Sequence, residues 1–566
     1  MTEGLKRIHL DIQGMTCTSC ERHVADALNH VEGAQAVEVR YPEGKAAVDL
    51  APDADPQALV RALAGTPYSA TLKRESGNGS GGAGPAHPFS TLAVEEPTAG
   101  KGAYDIVVVG AGSAGFAAAI SAVEAGARVA MVQDGTLGGT CVNVGCVPSK
   151  TLIRAAMARH TRGHHPFDGI ARSEEPVDWP VVRRNKDALV RELRGAKYED
   201  VLEAYPDITL IPGRARLDAE GRVTLDDGTP VAGRAVIITT GSRPAVPDVP
   251  GLVDAGYLDS TALLDVDDLP ASLAVLGAGS VGLELAQAYA RLGVEVTILA
   301  RTRLLSKEDP DVGEELKRHL EAEGIRVLTG VVPRRVERSG DVRIIHLRAS
   351  SGDEVSVEAH QLLVATGRRP NSDDMGLEEA GVAVGPRGEI RVDASMRTSH
   401  PRVWAAGDVT GEPMHVYVAA YQAHIAAKNA LGGSETVDLS VLPLVTFTDP
   451  GVATVGYTEA RAREEGMEPR VSLLPMEHVP RALAARDTRG FIKLVADAGS
   501  RKILGAQIVG NEAWEMIMEP AMALRFGLTI DDITGMLHPY LTLSEGIKLA
   551  ALTFEKDVAK LSCCAV

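Results

Sequence analysis

Long apolar runs are absent from this 566-residue chain. No stretch approaches the roughly 20 apolar residues needed to cross a bilayer, which excludes membrane insertion by a helix. The opening MTEGLKRIHLDIQ lacks the sustained apolar region of a secretory signal, so the expected location is cytoplasmic. An excess of positive charge is absent too. The formal net charge is -18, which argues against a nucleic-acid footprint or attachment to an anionic membrane. What remains is a soluble acidic protein whose length implies several modules, each with its own core.

Cysteine is scarce, six residues in all, yet it falls into three close pairs: Cys17 with Cys20, Cys141 with Cys146, and Cys563 with Cys564. Structural disulfides are disfavoured in a reducing compartment, so close pairs point to metal binding or redox exchange.

Residues 1–73 read as one small module. Ile8, Leu10 and Ile12 alternate as in a strand, and Val24, Ala27, Leu28 and Val31 recur at helical spacing. The strand-like AVEVRY and KAAVDL flank the turn Pro42-Glu43-Gly44, and a second helix, DPQALVRALAG, precedes a last short strand. From 74 to 102 the composition turns to Gly, Ser, Pro and Ala, which buries too little apolar surface to fold. This segment is expected to be a flexible linker with a reach of about 30 Å.

Beyond it two glycine motifs each follow an apolar strand and open a helix. The first, Gly110-Ala111-Gly112-Ser113-Ala114-Gly115, suits a pyrophosphate at a helix N-terminus. The strand after it is expected to end in an acidic residue for a ribose, but holds Gln133, followed by Asp134. Thr239-Thr240-Gly241 and the strand ending at Gly407-Asp408 resemble recurring flavoprotein elements, which assigns this site to FAD. The second motif, Gly277-Ala278-Gly279-Ser280-Val281-Gly282, leads to a strand ending at Ala300, followed by Arg301 and Arg303 where an NADH site carries a carboxylate. Two guanidinium groups suit a 2′-phosphate, so the expected hydride donor is NADPH. Gly367 is counted with this second site.

The most specific string is Gly138-Gly139-Thr140-Cys141-Val-Asn-Val-Gly145-Cys146-Val-Pro148-Ser149-Lys150. It resembles the active site of the pyridine nucleotide-disulfide oxidoreductases. With HPYLTLSEG and the LSCC tail it resembles the mercuric-ion-reducing branch of that family, while Gly14-Met15-Thr16-Cys17-Thr-Ser-Cys20 resembles the loop of heavy-metal-associated domains.

The resemblance implies an α/β fold with two Rossmann-like nucleotide-binding domains, an α+β C-terminal dimerisation domain and an N-terminal βαββαβ ferredoxin-like metal-binding domain. The expected boundaries are 1–73 for the metal-binding domain, 103–270 and 369–440 for the FAD domain, 271–368 for the NADPH domain, and 441–566 for the dimerisation domain. It implies that Cys146 faces flavin and Cys141 exchanges, that Lys150 pairs with Glu284, and that Tyr198 and Tyr540 lie near the mercury. It also implies a homodimer with a shared active site, in which Cys563 and Cys564 come from the partner subunit. Small thiols, and a mercury transporter or carrier, would deliver the ion, a soft cation suited to thiolates.

Other readings remain open. His538-Pro539 matches the His-Pro base of reductases acting on small disulfides, but Tyr540, not His538, stands five residues before Glu545, the spacing that such a base needs. Cys17 and Cys20 alone also fit a thioredoxin-like motif or half a zinc site. A third reading makes the chain a metal carrier whose flavin portion keeps thiols reduced.

Overall fold

The computed structural model describes residues 6–13, 24, 25, 27–31, 33–40, 45–51, 54–63, 69–72, 104–173 and 175–558. Cys17, Cys20, Cys563, Cys564 and the linker expected at 74–102 lie outside the described residues. The chain divides into two compact units, Met1–Ser90 and Thr91–Val566.

In the first unit four antiparallel strands stand in the order Ala34–Arg40, Lys45–Leu50, Lys6–Gln13, Ser69–Leu72. The two-residue period of the strand Lys6–Gln13 turns Leu10 and Ile12 into one core with Val24, Leu28, Val48 and Leu59. The helix Gln57–Ala62 connects the third strand in sequence to the fourth, completing a ferredoxin-like arrangement.

The second unit is built on two parallel sheets and one five-stranded antiparallel sheet, with smaller antiparallel sheets beside them. The first parallel sheet runs Val403–Ala405, Gly233–Ile238, Tyr104–Val109, Val129–Gln133, Ile208–Pro212. Its central strand, YDIVVV, is apolar at consecutive positions because both faces are covered, one by the helices Ser113–Glu124 and Val416–Ala430 and the other by a small antiparallel sheet that carries Ala215, Leu217, Val223 and Val231. Ile106, Val107 and Val108 are fully buried, each contributing about 1.5–3 kcal/mol before chain entropy is charged against it. The strand Val403–Ala405 joins this sheet from far along the chain, across the segment that builds the second one.

The second parallel sheet runs Arg326–Thr329, Glu295–Ala300, Ser272–Leu276, Gln361–Val364. Both sheets place a glycine turn at the carboxyl end of a central strand, the position from which an α/β sheet binds nucleotides. The antiparallel sheet orders Leu444–Thr446, Gly451–Gly456, Ile503–Gly510, Phe491–Asp497, Pro469–Pro475. The helix Met518–Phe526 presents Met518, Met522 and Phe526 to solvent at helical spacing. Among the described residues no helix is long and apolar enough to cross a membrane.

Candidate active site

Cys141 lies in the short helix Gly139–Asn143, and Cys146 opens the long helix Cys146–His164 with Gly145 as its N-cap. Both are half-buried, and their sulfurs face one another without a disulfide between them. The Cys141 thiol donates to Cys146, and together with the Lys150 charge this holds the Cys146 thiol down at about 7 against the opposing effect of burial. The same hydrogen bond, reinforced by burial, pushes Cys141 well above the ordinary thiol range. One sulfur is therefore a thiolate near neutral pH and the other its proton donor. The N-terminus of the helix adds its partial positive charge on the thiolate side.

One turn along the same helix, Lys150 Nζ lies 2.5 Å from Glu284 Oε2. Glu284 is buried on the helix Ser280–Arg291, and its other oxygen accepts from the Phe447 backbone N–H at 2.9 Å. The Lys150 ammonium also sits 4.7 Å from the centre of the Phe447 ring, which packs at a tilt against Trp514 with ring centres 4.9 Å apart. Three parts of the unit thus meet at one ion pair: the cysteine helix, the second glycine-turn helix and the antiparallel sheet.

A cavity of about 1500 Å³ borders Gly112, Cys141, Cys146, Lys150, Asp408 and Val281, so it reaches both glycine turns. Its size and lining fit FAD. A Cβ on Gly115 would come 1.9 Å from the Gly110 carbonyl oxygen, so the turn closes only with glycine there. Ser113 and Ala114 open the helix Ser113–Glu124 beside the cavity, Gly139 and Thr140 continue its wall, and a Cβ on Gly241 would meet open space. Thr240 donates to the Asn371 carbonyl at 2.6 Å, and Asp408 accepts from Ser242 Oγ at 2.6 Å.

Gln133 borders the cavity and is tied to the first glycine turn. Its Oε1 accepts from Ala111 N at 2.6 Å, and its amide nitrogen donates to the carbonyls of Asp134 and Thr136. Its donors are spent on the protein, leaving only an oxygen lone pair for a ribose hydroxyl. Asp134 is exposed.

At the second turn a Cβ on Gly282 would come 2.3 Å from the Gly277 oxygen, whereas one on Gly279 or Gly367 would meet nothing within 4 Å. Tight closure beside open space fits a nucleotide phosphate lying over the helix N-terminus. Val281 is 45% exposed. The structure separates the two arginines. Arg301 is exposed and makes no hydrogen bond or ion pair among the described residues, while Arg303 is partly buried and gives Nη2 to the Glu308 carbonyl at 2.5 Å.

Tyr198 packs edge-on against Phe116, and its hydroxyl lies 3.4 Å from Ser113 Oγ. Burial pushes its phenol above the ordinary range, with a lesser effect from the cysteine charges. Tyr540 and Glu545 do not border the cavity within one chain. Tyr540 is 57% exposed, and buried Glu545 accepts from the Leu541 backbone N–H at 3.1 Å. His538 is buried, and its Nε2 lies 2.7 Å from Glu519 Oε1 rather than at Glu545.

Several bordering residues escaped the sequence reading. Arg368, whose Nε donates to Ser242 Oγ at 2.7 Å and stands 3.8 Å from Asp408, directly follows Gly367, and its position after a glycine turn was a usable signal. Phe447 and Trp514 carried none.

Residues 104–423 match the pyridine nucleotide-disulphide oxidoreductase family, 442–551 match its dimerisation domain, and 9–69 match the heavy-metal-associated domain. The chain is 42% identical to a mercuric reductase of Bacillus cereus, covering 100% of this chain and 88% of the relative. It is 45% identical to a mercuric reductase of Shigella flexneri, covering 98% and 99%. Among solved structures it is similar to the Cu(II) complex of the HOCl-induced flavoprotein disulfide reductase RclA from Escherichia coli, with a TM-score of 0.70 and 30% identity over 78% of this chain and 98% of that one.

Proposed function

Because the chain belongs to the mercuric reductases of the pyridine nucleotide-disulphide oxidoreductase family, we propose the following division of labour among its residues for the NADPH-dependent reduction of mercuric ion to elemental mercury. The observation that carries it is the Cys141 and Cys146 pair, hydrogen-bonded to one another on a cavity that reaches both glycine turns.

Residues 103–270 with 369–440 form the FAD domain, 271–368 the NADPH domain and 441–566 the dimerisation domain. A FAD domain in two parts is supported by the strand Val403–Ala405 pairing with Gly233–Ile238. When bound, FAD passes the two electrons of an NADPH hydride toward the cysteine pair and its ligand. Gly110, Gly112 and Gly115 admit its pyrophosphate, Asp408 and Arg368 orient its polar chain, and Gly277, Gly279, Gly282 and Arg301 hold NADPH. Lys150, fixed by Glu284, places a positive charge where negative charge develops.

Cys146 keeps the thiolate and Cys141 exchanges ligands. Mercuric ion, the substrate, arrives on a small thiol or from a transporter or carrier, and is captured reversibly by Cys17 and Cys20 on the tethered module. Cys563 and Cys564 of the partner subunit then pass it to Cys141 and Cys146 by thiolate exchange, each new mercury–sulfur bond replacing an old one. Tyr198 and Tyr540 flank the exchange. The protein is a homodimer, a reading its dimerisation domain supports. We place it in the cytoplasm, where thiols stay reduced. Buried His538, bound to Glu519, speaks against a small-disulfide reductase that would use it as base.

The test mixes protein, NADPH, mercuric ion and excess small thiol while NADPH absorbance and volatile mercury are followed. Mercury vapour matching NADPH loss, and abolished in a Cys141→Ala, Cys146→Ala double variant, is the expected result. Vapour persisting in the double variant would remove this pair from the mechanism.

A further inference from the structure

Glu284 belongs to a polar zipper. Ser280, Glu284, Gln287 and Arg291 recur at alternate four- and three-residue spacing along the helix Ser280–Arg291, so they form one stripe. Each reaches the same short segment, 446–449, of the antiparallel domain. Ser280 Oγ meets Thr446 Oγ1 at 2.7 Å, Glu284 Oε1 accepts from Phe447 N at 2.9 Å, and Arg291 Nη2 lies 2.8 Å from Asp449 Oδ2. Gln287 makes the only two-way contact of the four: its Oε1 accepts from Asp449 N at 2.8 Å and its Nε2 donates to the Asp449 carbonyl at 2.7 Å. Gln287 is 4% exposed, so water cannot replace either bond without opening the joint.

The geometry has a consequence for the ion pair. Glu284 divides its two oxygens between Lys150 and Phe447 N, so the direction of its carboxylate follows the position of the Phe447 backbone. That backbone is two residues from the point that Gln287 clamps. We propose that Gln287 is a positioning residue for NADPH-driven reduction: by clamping Asp449 it holds Phe447 in place and so keeps Glu284 directed at Lys150. The inference rests on the assignment of Lys150 and Glu284 to the path of the hydride. It names no new contact with substrate, because the polar partners of Gln287 are Asp449 and, through Nε2 at 3.1 Å, Glu323.

The test uses the full-length holoenzyme and Gln287→Met, which keeps length and removes both hydrogen bonds to Asp449 together with the one to Glu323. Single-residue hydrogen exchange reads the amide of Phe447, whose own acceptor, Glu284, is untouched in the variant. Exchange there is expected to quicken about tenfold, the signature of a joint that opens locally. Rapid mixing with NADPH in the absence of mercury is expected to show flavin reduction slowed about threefold at saturation, with the NADPH dissociation constant little changed, as misorientation without lost binding requires. Unchanged exchange at Phe447, or unchanged flavin reduction, would overturn the proposal. Should Gln287→Met fail to fold, Gln287→Asn, one methylene shorter but still polar, carries the same two readouts. If NADPH fails to reduce the flavin of the unsubstituted protein, the functional reading falls, while exchange at Phe447 still decides whether Gln287 governs this backbone.

Discussion

Glu284 and Lys150 form an ion pair at 2.5 Å that joins two helices, and only the carboxylate is buried: the Glu284 side chain is 6% exposed and that of Lys150 34%. Removing one member of a fully buried pair costs several kcal/mol, but partial exposure of the ammonium lets water compensate, so Glu284→Gln is expected to cost about 1–2 kcal/mol. The amide still accepts from Phe447 N. Glu284→Ala, which orphans that N–H as well, should be clearly worse. Thermal unfolding of the two variants checks the order; equal losses would mean that the Phe447 bond is of no consequence.

The Cys146 thiol is depressed to about 7, first by the hydrogen bond from Cys141 and then by Lys150. Its thiolate is therefore present above about 7 and is lost as pH falls through that value. In the reduced holoenzyme the thiolate-to-flavin charge-transfer absorbance should fade with that midpoint. Cys141→Ala removes the donor and should move the midpoint up toward the ordinary thiol value of about 8.5, while Cys141→Ser, which keeps a hydroxyl donor, should move it less. A midpoint indifferent to Cys141 would assign the depression to Lys150 alone.

What was legible in the sequence followed from local sterics. The glycine turns, the apolar strands before them and the spacing of the cysteines are short-range patterns, and the fold class follows from them. The pairing of Lys150 with Glu284 spans 134 residues and could be named only through family resemblance. Gln287 with Asp449, 162 residues apart, left no periodic mark, because it arises where the second glycine-turn helix docks on the antiparallel domain, and the contact of Phe447 with Trp514 joins residues 67 apart in sequence within that domain. Gln133 is the reverse case. Its substitution for the expected acidic residue was visible in the sequence, but the bracing of the first glycine turn by its side chain was not.

Arg301 and Arg303, equivalent in the sequence, are unequal in the structure. Arg303 is partly buried and committed to the Glu308 carbonyl, whereas Arg301 is exposed and unengaged among the described residues. Arg301→Ala should therefore reduce the preference for NADPH over NADH by about tenfold or more, the worth of one charge-assisted contact. Arg303→Ala should lower the unfolding temperature and disturb the preference less. Binding of 2′,5′-ADP to each variant separates the roles, and the reverse ranking would refute them.

Tyr540 is 57% exposed and, with Glu545, stands clear of the cavity in its own chain, while the helix Met518–Phe526 exposes Met518, Met522 and Phe526. These features fit a dimer in which each C-terminal region completes the partner's site. Subunit complementation tests that arrangement. One parent carries Cys141→Ala and Cys146→Ala, the other Cys563→Ala and Cys564→Ala, each impaired in mercury turnover under limiting thiol. After random exchange about half of the dimers are mixed, and each mixed dimer has one site with both pairs intact if the tail acts across the interface, so about a quarter of full activity should return. If each tail served its own chain, no mixed dimer would hold a complete site and none would return.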